Sequence, residues 1–152
     1  HRAENTDDIS RLNAIIDSLN KIHAKTPVVW LIHPRTKKII SKENIKVDFQ
    51  ILDPIGYLEM IYMLQNCKMV MTDSGGLQKE AFFFKKNCIT LRDETEWVEL
   101  VENGFNMVVG ADPEKIEDAY FTMIEKDNNF DVNLYGNGLA SKVIAQNLIN
   151  EN

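Results

Sequence analysis

Apolar positions recur at two periods along this chain, and the alternation between them outlines the fold. In TDDISRLNAIIDSLNKIHA, residues 6–24, Ile9, Leu12, Ile15, Ile16, Leu19 and Ile22 form one stripe at helical spacing. Thr6 or Asp7 is the expected cap, and the acids there suit the helix dipole. Pro27 stops the helix, and VVWLI at 28–32 is an unbroken apolar run. Such a run is expected of a strand covered on both faces, as in a parallel sheet. His33-Pro34 ends it.

The same reading continues to the C-terminus. It predicts a short polar helix over 35–43, a strand over 45–52, and a turn at Asp53-Pro54 and Gly56. Tyr57, Met60, Ile61 and Leu64 mark a second clear helix. MVMT at 69–72, CITL at 88–91 and NMVV at 106–109 are further strands, with helices over 76–85 and 96–102 between them. Asp112-Pro113 opens a helix with Pro in its first turn, and 139–150 is a terminal helix. Strand and helix alternate with short connections, which defines an α/β class with a doubly wound, Rossmann-like parallel sheet. Ligands of such sheets bind at the carboxyl ends of the strands. His33, Asp53, Ser74 to Gly76, and Arg92 to Glu96 all fall there.

Composition changes this picture little. The 152 residues suffice for a single domain with a real core, and 44% hydrophobic with 26% charged is ordinary for a globular protein. A net charge of -6 argues against nucleic acid or a membrane surface as partner, so an anionic ligand needs a local site. Cys67 and Cys88 sit in or beside apolar runs without CxxC spacing, which predicts buried thiols in a reducing, cytoplasmic setting. No apolar stretch has the length of a membrane span, and no signal peptide is read. The opening HRAENTDDIS has neither Met nor strand, as expected of a piece of a larger protein.

Candidate chemistry concentrates in MTDSGGLQKEAFFF, residues 71–84. A helix start leaves backbone N–H groups unpaired and partly positive. Bare backbone at Gly75 and Gly76 admits an anion to those donors, and Ser74 adds a hydroxyl. Glu80 lies four residues past Gly76 on the same face, suited to accept hydrogen bonds from a sugar diol. Phosphate with ribose one turn on describes a nucleotide; the bland alternative is a tight turn with a solvated Glu. Arg92 ends the next strand and is placed to close over a diphosphate, or else to pair with Asp93 or Glu94. Phe82, Phe83, Phe84 and Trp30 read as core, one Phe being exposed at a contact. The four Met between 60 and 71 read as packing, and His23 as a solvated helix residue.

Several blocks together resemble one family, the non-hydrolysing UDP-N-acetylglucosamine 2-epimerases. They are HRAEN at 1–5, HPRT at 33–36, DP with YL at 53–58, TDSGGLQKEA at 72–81, RDETEW at 92–97 and YGNGLAS at 135–141. The resemblance implies the C-terminal lobe of a glycosyltransferase-B-like fold, residues 1–152 forming a single UDP-binding domain. Ser74, Gly75 and Gly76 would then hold the diphosphate, Glu80 the ribose and Arg92 the phosphates. Tyr57 and Met60 would border the uracil; Arg2 and Glu4 belong to the HRxEN motif at the sugar. His1 would match a histidine at the reacting sugar and His33 another cleft histidine, the two being the expected catalytic residues. The implied chemistry is elimination of UDP across C1 and C2 and its re-addition with C2 inverted, for surface polysaccharide precursors, without metal or NAD. RDETEWVELVE is similar to the branch that acts on UDP-2,3-diacetamido-2,3-dideoxy-glucuronate. Lys79, Trp97-Val98 and Asn137 depart from the commoner pattern. The N-terminal lobe that carries the proposed acid–base carboxylates has no counterpart here, nor does the strand leading into HRAEN. The fragment alone is therefore expected to be inactive, with the missing lobe, a UDP-sugar and a homodimer mate as its partners. Rival readings are the nucleotide lobe of a UDP-sugar glycosyltransferase, a binding module without chemistry, and a flavodoxin-like signalling domain.

Overall fold

A computed structural model of the chain describes residues 2–136 and 138–150. Two helices open it, α1 (Ala3–Thr6) and α2 (Ile9–His23). Asp8, not Thr6 or Asp7, caps α2: its carboxylate accepts from the N–H groups of Ser10 and Arg11. Thr6 closes α1 instead and is buried. Then follow β1 (Val29–Leu31), α3 (Pro34–Lys42), β2 (Gln50–Leu52), α4 (Tyr57–Asn66), β3 (Val70–Thr72) and α5 (Gly75–Phe83). The remainder is β4 (Cys88–Thr90), α6 (Val98–Glu102), β5 (Asn106–Val108), α7 (Pro113–Ile124) and α8 (Ala140–Asn150).

Every strand pairing is parallel, yet the strands form two ladders and not one sheet. β1 pairs with β2, Trp30 opposite Ile51. In the other ladder β4 lies between β3 and β5, with Ile89 opposite both Met71 and Met107. The period of two then sorts β4's side chains to opposite faces. Ile89 joins the main core, which α2 and α7 build from Leu12, Ile16, Ile116 and Met123, while Cys88 packs with Leu64, Val70 and Ala81. Ile32 after β1 enters the same main core, so hydrophobic packing joins the two ladders where hydrogen bonds do not.

A third cluster is aromatic. Phe82, Leu100 and Phe105 are buried there, with Trp97, Phe130 and Tyr135 against them. Phe83 is 57% exposed, the one outward ring of the three consecutive phenylalanines. Burial of the Tyr135 ring pushes its phenol well above the usual range, and Glu99 acts in the same direction.

Three local expectations differ. The stretch 45–49 forms no strand, because the Asn20 side chain takes its backbone groups, donating to the Lys46 carbonyl and accepting from the Asp48 N–H. Trp30 is only half-buried and Val29 is 40% exposed, since β1 borders a cavity. His23 is no solvated bystander: its Nδ1 accepts from the Val28 N–H at 3.0 Å and so closes the turn into β1.

Candidate functional site

β3 delivers the chain to Asp73 and Ser74, and α5 starts at once with Gly75. Ser74 occupies the N-cap, yet its side chain makes no capping hydrogen bond. Its own N–H donates to Thr72 Oγ1 at 3.0 Å. The first amides of α5 are therefore left without a side-chain cap, at the end of the helix that carries about half a positive charge. The glycines are the first two helical residues, not loop residues ahead of the helix.

They differ in what their bareness serves. A β-carbon at Gly75 would fall on the Glu96 carboxylate, whereas at Gly76 it would meet nothing within 4 Å. Gly75 is buried and makes room for the chain's own Glu96; Gly76 is exposed and leaves the helix start open from outside. Spacing alone had offered one reason for both.

Glu80 stands one turn further, half-buried, its carboxylate without a partner among the described residues. Arg92, whose side chain is 12% exposed, holds Glu96 at 2.8 Å. The partner is neither Asp93 nor Glu94; Arg11 takes Asp93 through two hydrogen bonds of 3.1 and 3.2 Å. Glu96's own backbone N–H holds its carboxyl below the ordinary carboxylate value against the opposing effect of burial, and Arg92 adds to the lowering.

A cavity of about 730 Å³ separates β1 from β3 and runs to this helix start. Ser74, Gly76, Glu80, Met60 and His33 are brought together in its lining. Gly75, Arg92, Tyr57, Arg2 and Glu4 lie outside that lining. Tyr57 is 67% exposed at the start of α4, and Glu4 is exposed on α1. Arg2 is exposed too, but its backbone N–H donates to Asp73 Oδ2 at 2.8 Å, which ties the N-terminal segment to the end of β3. His33 caps α3, its Nδ1 accepting from the Arg35 N–H at 3.2 Å. A neutral His33 ring thus carries its proton on Nε2. His1 and Asn137 lie outside the described residues.

Sequence reasoning passed over several residues that build the site. Asn5 is buried and donates to the Leu91 carbonyl at 2.6 Å, while its Oδ1 accepts from Arg11. Gln78 is fully buried behind α5, where its Oε1 accepts from Thr95 and Asn106. Lys79 sits 4.2 Å from the Tyr135 ring centroid and 4.6 Å from that of Trp97. The available signal was a polar residue in an apolar run: Thr90 in CITL, Asn106 in NMVV.

An open helix start at the carboxyl end of a parallel strand is an arrangement able to hold an anion in an α/β domain. Comparison with known proteins is more specific. The profile of the UDP-N-acetylglucosamine 2-epimerase family matches residues 1–149, and the chain belongs to that family. It is 52% identical over 149 residues to UDP-2,3-diacetamido-2,3-dideoxy-D-glucuronate 2-epimerase of Pseudomonas aeruginosa, covering 97% of this chain and 42% of that protein. UDP-N-acetylglucosamine 2-epimerase of Methanocaldococcus jannaschii is 39% identical over 154 residues, covering 96% of this chain and 42% of its own length. The crystal structure of the latter with UDP-GlcNAc and UDP superposes with a TM-score of 0.87, covering 99% of this chain and 43% of that one. The Neisseria meningitidis UDP-GlcNAc 2-epimerase bound to UDP-GlcNAc, 28% identical, gives 0.79 with 99% and 43% covered. The chain therefore spans less than half the length of the relatives it matches. It has the α/β fold, with parallel strands, of part of these glycosyltransferase-B-like enzymes. No helix among the described residues is long and apolar enough to cross a membrane.

Proposed function

We propose that this chain is the UDP-binding, C-terminal lobe of an enzyme that inverts C2 of a UDP-2-acetamido sugar. The observation that carries the proposal is the uncapped start of α5 beside the unpartnered carboxylate of Glu80. The diphosphate docks on the N–H groups of Gly75 and Gly76 and the Ser74 hydroxyl, and Arg92 swings from Glu96 to add its charge. Glu80 accepts from the ribose hydroxyls, and Met60 with Tyr57 borders the base. On the family resemblance, Arg2, Glu4, His1 and His33 belong to the sugar end of the site.

The reaction follows from that placement. A base takes the C2 proton, the C1–O bond breaks, and the electron pair left at C2 forms the C1–C2 double bond of a glycal as UDP departs. Re-addition of UDP with a proton delivered to the other face of C2 gives the epimer. The helix start and Arg92 stabilise the charge gathering on departing UDP. No net oxidation occurs, so the step needs no NAD, and in this proposal the helix start and Arg92 carry the charge stabilisation without a metal. A positioned base at C2 is still needed, and family resemblance places the principal carboxylates outside residues 1–152. Residues 1–152 alone accordingly show no turnover. The name of the Pseudomonas aeruginosa relative supports a diacetamido-glucuronate type of UDP-sugar as substrate.

The cavity between β1 and β3 supports the lobe being incomplete. Both strands line it, and each pairs on its other side only. The Arg2 backbone N–H, anchored to Asp73 at the end of β3, is compatible with a further parallel strand in that space. The test uses the protein extended to the length of its relatives, with a UDP-2-acetamido sugar in deuterated water. Exchange of the C2 hydrogen, indifferent to NAD and chelators, is expected. Transfer of the sugar to an acceptor without exchange would establish the glycosyltransferase instead.

A further inference from the structure

The starts of α2, α3 and α7 are held by side-chain caps, and that of α5 is not. Its fixation comes from behind, through a buried polar network. Gln78 Nε2 reaches back to the Ser74 carbonyl at 3.4 Å, a long contact. Gln78 Oε1 accepts from Thr95 Oγ1 at 2.6 Å and Asn106 Nδ2 at 3.0 Å. Asn106 Oδ1 in turn accepts from Thr90 Oγ1 at 2.9 Å. The network therefore ties α5 to β4, to β5 and to the segment after Arg92. Trp97 adds a tie from that segment, its Nε1 donating to the Gly75 carbonyl at 2.7 Å. Thr95 Oγ1 also accepts from the Trp97 N–H at 3.1 Å, which joins the two ties.

Gln78, Thr90 and Asn106 are all essentially inaccessible, at 0, 0 and 1%. A buried amide is costly unless satisfied, and here its oxygen is satisfied twice over. The amide as a whole thus links the α5 start, through the Ser74 carbonyl, to the loop carrying Arg92 and Glu96, through Thr95, with Asn106 of β5 as the third partner. Hydrophobic contact tolerates sliding, whereas two hydrogen bonds at one carbonyl oxygen do not.

We infer that Gln78, seconded by Trp97, is a positioning residue that sets the open amides of α5 against Arg92 for one diphosphate. This rests on the diphosphate reading above. Neither side chain touches the ligand; both act through the backbone of residues 74–76. The substitution Gln78→Met keeps the volume and removes all three side-chain hydrogen bonds. Trp97→Phe keeps a ring against Tyr135 and removes only the bond to Gly75.

The experiment is calorimetric titration of UDP and, separately, of uridine, into the protein extended to its relatives' length. Uridine keeps the ribose and base contacts and lacks the diphosphate. UDP affinity should fall about tenfold in Gln78→Met and a few-fold in Trp97→Phe, with uridine affinity unchanged in both. Equal losses for UDP and uridine would mean general loosening and overturn the inference, as would unchanged UDP affinity. If Gln78→Met does not fold, Trp97→Phe decides alone, because its bond lies outside the innermost core. A parent protein that binds UDP no better than uridine would refute the diphosphate reading itself, a result distinct from either.

Discussion

The ladder of β3, β4 and β5 and the ladder of β1 and β2 are built from similar apolar runs, yet they end in different states. β4 is paired on both sides and buried along its whole length. Its inward polar groups, Thr90 and through it Asn106 and Gln78, are satisfied by one another. β1 is paired on one side, half-exposed, and looks into an apolar cavity. Thr36 Oγ1, in that cavity's lining, is buried without a hydrogen-bond partner among the described residues. The site's rigid side and its open side thus lie next to each other. The helix start belongs to the finished ladder and faces the unfinished one.

The largest expected effect tests whether the finished side carries the stability. Phe82 meets Phe105, Phe130 and Tyr135 at centroid distances of 5.0, 6.0 and 5.7 Å. Phe82→Ala should cost about 3–5 kcal/mol in denaturant unfolding. Trp30→Ala, on the cavity side and tilted against Phe49 at 5.9 Å between centroids, should cost clearly less. Equal costs would erase the contrast.

Binding follows in magnitude. Glu80→Gln turns an ionised acceptor into a weaker neutral one and should weaken UDP binding by about 1.5–3 kcal/mol, read by calorimetry on the longer protein. Next comes the pair of glycines. Gly75→Ala forces Glu96 aside and should destabilise by about 1–3 kcal/mol. Gly76→Ala meets open space and should hold or raise stability, since Ala exceeds Gly in helix preference. Thermal melts of the two variants separate the roles.

The cysteines probe the two sides chemically. Burial pushes the Cys88 thiol up to about 12, and it pushes Cys67 upward as well. Cys67 lines the cavity. Under native conditions a thiol reagent should modify Cys67 slowly and Cys88 only after unfolding; the reverse order would contradict the packing. The smallest effect is electrostatic. Glu96's folded value lies below its ordinary 4.5. The interactions that lower it, its own backbone N–H first and Arg92 after it, therefore stabilise fully above about 4.5 and are lost as pH falls through the folded value. Glu96→Gln should flatten that part of the melting-temperature profile.

Legibility in the sequence divides along the same line. Helices with a clean stripe, such as Ile9–His23, and strands with a short apolar run, such as Cys88–Thr90, were readable because their signal is local. Ser74, Gly76 and Glu80 were readable because one helix turn sets their relation. Asn20 taking the backbone of 46–48 was not, nor was Glu96 filling the space of Gly75. Both join residues more than twenty apart, a relation that only the folded packing creates. The division into two ladders was likewise hidden, because VVWLI reads the same whether one neighbour strand is present or two.

The central claim is that the start of α5 and Glu80 together hold UDP. A crystal structure of the longer protein soaked with UDP addresses it most directly. A diphosphate oxygen within about 3 Å of the Gly76 N–H, with the ribose hydroxyls on the Glu80 carboxylate, is the predicted result. UDP bound elsewhere, or bound here with its ribose turned away from Glu80, would contradict it.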